Sequence, residues 1–175
     1  MAALLRGWHR VECWVAVLCF SFIAAVLVID VVGREFYGPL LKLLGLPVGA
    51  TGLFGSQKMA IFALVIGSFA GIGIATASGV HLVPRLAFGW VPESFGPTMN
   101  RAADLITGLF LLAVAWYGVV FVLASKGSGV LAAVINAPAW PIQAFIPLGF
   151  VSAAVRYFIF AAWPALRPLP PEFQE

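Results

Sequence analysis

Four long uncharged runs organise the chain: 17 residues between Glu12 and Asp30, 26 between Lys58 and Arg85, 21 between Asp104 and Lys126, and 29 between Lys126 and Arg156. Apolar residues are nearly continuous within them and do not alternate strictly with polar ones. A helix crosses the hydrocarbon layer with about 20 apolar residues, whereas a barrel strand uses about 10 with regular alternation. The pattern therefore predicts an all-α integral membrane protein with four transmembrane helices, at approximately residues 11–32, 58–80, 104–125 and 141–163, joined by short interfacial segments. Residues 1–175 read as a single membrane domain, with a proline-rich tail over 164–175.

The boundaries follow from helix breakers. Gly33-Arg34-Glu35-Phe36-Tyr37-Gly38-Pro39 brings charge, glycine and proline together and is expected to end the first span. Leu40 to Leu44 is apolar, but Gly45, Pro47, Gly49, Gly52 and Gly55 follow, so a short helix lying at the interface is expected. Between Arg85 and Asp104, aromatic residues mix with glycine and proline, which suits a connector on the membrane surface. Gly127 to Pro147 reads as an external loop with an interfacial turn, and Pro141 occupies a first-turn position where proline is tolerated.

Composition strengthens this picture: 62% of the 175 residues are hydrophobic and 10% charged, far from the roughly one quarter charged of a water-soluble domain. The net charge of +3 does not imply nucleic acid, because the ten basic residues are scattered singly with no basic stripe. They report topology instead. Arg6, Arg10, Arg85, Arg101 and Arg167 fall on the side of the termini, against Arg34, Lys42, Lys58 and Lys126 on the other. Both termini are accordingly expected in the cytoplasm, with Arg156 snorkelling towards that side. The apolar stretch after Arg10 is longer than a usual signal-peptide core and is expected to be an uncleaved span. Cys13 and Cys19 lie six residues apart, about 240° around a helix, and cannot bridge each other.

Membrane chemistry requires ionisable groups at depth, and few are expected here. Glu12 and Asp30 sit at opposite ends of the first span, about 27 Å apart, too far to form a carboxylate pair. Asp30 and Arg34 have the spacing of a helical ion pair near the outer interface, serving either as a local anchor or as a partner contact. His9 and His81 both fall at span ends, so axial haem ligation inside the bilayer is not expected. No nucleophile elbow, phosphate loop, dinucleotide fingerprint or zinc helix is present, and no enzymatic activity or cofactor is expected.

The second span carries a ladder of small residues, Ala63, Gly67, Gly71, Ala75 and Gly79, at intervals of four. Small residues let helix backbones approach closely where lipid supplies no hydrophobic force. The partner of this face lies either within the chain or in another protein.

Several ordered motifs resemble those of the small membrane subunit (DctQ type) of tripartite ATP-independent periplasmic (TRAP) transporters. They are Asp30-Val31-Val32-Gly33-Arg34-Glu35-Phe36, Ala77-Ser78-Gly79-Val80-His81-Leu82 and Ala144-Phe145-Ile146-Pro147-Leu148-Gly149-Phe150. By this resemblance Asp30, Arg34, His81, Pro147 and Gly149 match family positions. Two departures are a longer first connector and Ser56-Gln57-Lys58 where the family usually carries acidic residues. The resemblance implies a bacterial inner-membrane scaffold for a large permease, which holds the substrate and sodium sites. A periplasmic solute-binding protein would deliver an organic acid, and membrane lipids would surround the pair. Two other readings are the membrane anchor of a respiratory complex and a small four-helix exporter.

Overall fold

The computed structural model describes residues 2–47, 49–79, 96–132 and 136–168. Its elements are α1 (Ala2–Val32), a π-helical turn (Gly33–Tyr37), α2 (Gly38–Leu43), α3 (Ser56–Ser78), α4 (Gly96–Gly127), β1 (Leu131–Ala132), β2 (Ala137–Pro138), α5 (Trp140–Gln143), α6 (Phe145–Ala162) and a 3₁₀ turn (Pro164–Leu166). Four helical segments, including α5 with α6, are long and apolar enough to cross a membrane. The protein is thus an all-α, four-span bundle.

Two expectations about helix ends are corrected. The first helix does not stop at Val32, and the short helix expected from Leu40 is its continuation, not a separate element. Helix continues through the π turn into α2, where the Gly38 N–H bonds to the Gly33 carbonyl and the wider turn precedes Pro39, which has no N–H to donate. The interfacial connector expected up to Asp104 is shorter at its far end, because α4 already begins at Gly96, with Pro97 in its first turn. Residues 80–95, which include His81 and Arg85, lie outside the described residues. The external loop expected after Gly127 contains a minimal antiparallel ladder, Leu131 opposite Pro138 and Ala132 opposite Ala137.

The main pairings are α1 on α3, α3 on α6 and α6 on α4, which sets the spans side by side in the order α1, α3, α6, α4. Half of the most apolar stretch of the fourth span is buried inside the protein, against 17% for the first and third spans. The central position therefore belongs to α6, and α1 and α4 form the edges. Close packing around α6 depends on small residues: Ala153 and Ala154 are fully buried, and Gly118 faces Pro147. Gly149 lies against the backbone carbonyl of Phe69 on α3, where a Cβ would sit 3.0 Å from the Phe69 Cβ. Phe69 and Phe150 then meet edge to face at 5.6 Å.

The edges carry large exposed apolar and aromatic side chains, including Trp14 and Leu18 on α1 and Phe110, Trp116 and Tyr117 on α4. Such faces suit lipid or another membrane protein, since lipid tails solvate them without the cost they would carry in water.

Candidate functional site: polar locks at the two ends of the bundle

The largest departure from the sequence-based reading lies at the end of the bundle shared by the start of α1 and the end of α6. Arg156 does not snorkel to the surface: it is 1% exposed, the largest side chain among the fully buried ones. Its Nη2 donates to Glu12 Oε2 at 2.7 Å, and its Nη1 donates to the backbone carbonyl of Gly73. The guanidinium also lies 5.3 Å from the centroid of the Trp8 ring. Glu12, 8% exposed, accepts a second hydrogen bond at Oε1 from the Ser152 hydroxyl at 2.5 Å. One cluster therefore ties α1, α3 and α6 together.

This arrangement follows from the cost of charge in hydrocarbon. An isolated charged side chain in a membrane helix is expensive and is accommodated by a partner of opposite sign. Gly73 makes the contact possible, because a Cβ there would lie 2.7 Å from the Glu12 carboxylate carbon. Glu12, expected at the start of the first span, sits ten residues into α1 and is buried by protein there. These ionisable groups, expected near the surface, are buried inside the protein, paired and hydrogen-bonded within the fold.

At the opposite end, Asp30 and Arg34 form the ion pair that their spacing suggests. Asp30 is 3% exposed, and its Oδ1 also accepts from the Leu53 N–H at 2.9 Å, while half of the Arg34 side chain remains exposed. The carboxylate thereby fastens the connector between α2 and α3 back onto α1. A cleft of about 640 Å³ opens beside it, lined by Asp30, Arg34 and residues 49–58. A third pair, Arg167 with Asp104 at 3.2 Å, holds the segment after α6 against α4.

The ladder on α3 divides. Ala63 and Gly67 are buried, and a Cβ on Gly67 would meet the Cys19 Cβ at 3.1 Å, so these positions pack against α1. At Gly71 a Cβ would have no neighbour within 4 Å. Ala75 is partly exposed, and Gly79 ends the helix in a left-handed conformation at φ 70°. Pro147 and Gly149 both pack inside the chain, against Gly118 and Phe69 respectively. His81 is outside the described residues. Sequence reasoning missed the pairing of Glu12 with Ser152 and Arg156 and that of Asp104 with Arg167. A single arginine inside the fourth apolar run was the available signal, because it demands a carboxylate from elsewhere.

Among the described residues no three His, Cys, Asp or Glu side chains converge as metal ligands would. The clusters have the chemistry of structural fasteners: both oxygens of Glu12 and both of Asp30 are engaged within the fold.

Fold and clusters together define a four-span helical membrane protein whose buried charges are spent on holding its own helices. The family model for tripartite ATP-independent periplasmic transporters, DctQ component, matches residues 23–165. The chain belongs to this family of TRAP transporter small permeases. A relative, the ectoine TRAP transporter small permease protein TeaB of Halomonas elongata, is 25% identical over 109 residues, covering 62% of this chain. The match spans 56% of that protein's own length. No solved structure matches the chain.

Proposed function

We propose that this chain is the fixed scaffold of a TRAP-type secondary transporter in the bacterial inner membrane. It holds a large permease subunit that carries the substrate and sodium sites, and a periplasmic solute-binding protein delivers the solute, an organic acid. The observation that carries this reading is the combination of family membership with a bundle whose buried charges are already paired, while its edge helices expose broad apolar faces. Both termini face the cytoplasm, because Arg6, Arg10, Arg101 and Arg167 gather at one end of the bundle and basic residues favour that side. The chain itself binds no cofactor and catalyses no reaction. Sodium coupling resides in the permease.

Reconstitution tests this reading. The chain alone, the permease alone and both together are placed in liposomes with the binding protein, a candidate organic acid and an inward sodium gradient. Uptake is expected only with both subunits, or to fall strongly without the small one. Gradient-driven uptake by the small chain alone refutes the scaffold role. Recovery of the chain from mild detergent without any large multispan permease refutes the partnership.

A further inference from the structure

A smaller cleft of about 150 Å³ opens at the end of the bundle where α1 begins and α6 ends, between the first turns of α1, the last turns of α3 and α6, and the 3₁₀ turn. Its apolar wall is Leu5, Ala77, Phe160 and Leu166, and its polar groups are Arg6, His9 and Arg156. Arg156 is already neutralised by Glu12, so the net charge of the cleft comes from Arg6, which is exposed and has no carboxylate of the described residues within ion-pairing distance. His9 adds an imidazole beside it. The site lies where helices end, at headgroup depth, and it combines one unbalanced cation with a wall of leucine and phenylalanine.

We propose that this cleft seats one anionic phospholipid, its phosphodiester beside Arg6 and His9 and the first part of its acyl chains along Leu5, Phe160 and Leu166. A free anion would use the basic groups but not the apolar wall. A lipid without a phosphate, such as diacylglycerol, would use the wall but leave Arg6 without a counter-charge. The phosphate of a lipid satisfies both sides of the cleft, and membrane arginines next to anionic headgroups contribute measurably to such binding.

Native mass spectrometry of the full chain in mild detergent tests the site, with phosphatidylglycerol, diacylglycerol of the same acyl chains and inorganic phosphate as probes. Phosphatidylglycerol is expected to be retained and diacylglycerol lost. Arg6→Gln should lower phosphatidylglycerol retention about five-fold, the factor that one basic residue contributes near an anionic lipid. Ala77→Phe, which fills the cleft without changing its charge, should lower retention as well. Arg101→Gln, at the same end of the bundle but outside the cleft, should leave it unchanged. Equal losses in Arg6→Gln and Arg101→Gln would reveal diffuse attraction and overturn the site, as would undiminished retention in Ala77→Phe. Equal retention of the two lipids, or inorganic phosphate binding as tightly as phosphatidylglycerol, overturns the lipid assignment.

Discussion

Replacing Arg156 with methionine should be among the most damaging single changes in the bundle, because it leaves the Glu12 carboxylate buried beside Ser152 without its counter-charge. Opposite charges about 4 Å apart interact by about 4 kcal/mol at an effective dielectric of 20. Loss of one member of a buried pair typically costs about 3 to 5 kcal/mol. Glu12→Met should cost a similar amount, because Arg156 keeps only the Gly73 carbonyl and the Trp8 ring. The double variant behaves differently. Methionine at both positions removes both charges, the Ser152 hydroxyl can turn to a carbonyl of its own helix, and the Gly73 carbonyl retains its helical hydrogen bond. Stability of wild type, both single variants and the double variant is measured by denaturant titration in mixed micelles. The double variant is expected to be more stable than either single one, with a coupling energy of at least about 2 kcal/mol. Additivity to within about 0.5 kcal/mol would refute the pair as a coupled unit.

Other consequences are equally direct. Gly149→Ala should lower thermal stability by about 1 to 3 kcal/mol, since its methyl group is forced onto the Phe69 carbonyl, and an unchanged melting curve would contradict that packing. Gly67→Leu should destabilise the isolated chain by a similar overpacking cost of about 1 to 3 kcal/mol, whereas Gly71→Leu should leave it unaffected, because only Gly67 faces Cys19 and Phe20. If the open face at Gly71 receives the large permease, Gly71→Leu should instead reduce co-purification of that subunit. Asp30→Asn weakens the charge-assisted hydrogen bond to the Leu53 N–H and the pair with Arg34, so proteolysis within residues 46–55 should accelerate in the variant. Equal cleavage rates would show that the carboxylate does not hold the connector.

The spans were legible because charge exclusion from hydrocarbon is strong and local: each of the four uncharged runs contains most of a membrane helix. Helix ends were less legible. The glycine and proline at 38 and 39 signal a stop by local preference, but a π turn just before them carries the helix on to Leu43. Asp30 and Arg34 could be paired from sequence because one helical turn joins them. Glu12 and Arg156 could not, because they are 144 residues apart and meet only once the order α1, α3, α6 is known. The small-residue ladder shows the same limit. Its period identifies a helix face, but whether Gly67 or Gly71 touches a neighbour depends on where α1 crosses α3.

The paired charges also bear on how such a subunit works. A transporter that exposes its site alternately to the two sides of a membrane needs an element with two arrangements of similar energy. The described bundle is built the other way. The Glu12 cluster joins α1, α3 and α6 on one side, Arg167 joins the segment after α6 to α4, and Asp30 fastens the α2–α3 connector to α1. Sliding α1 against α6 separates Glu12 from Arg156, at a cost of about 3 to 5 kcal/mol for a broken buried pair. A change of that size holds the minor arrangement below about one part in a hundred. Charges buried in this protein therefore favour a single arrangement, which is what the proposed scaffold role would require. Because the Glu12 cluster lies between α3, α6 and the inner face of α1, the exposed apolar side chains on the outward faces of α1 and α4 take no part in the locks.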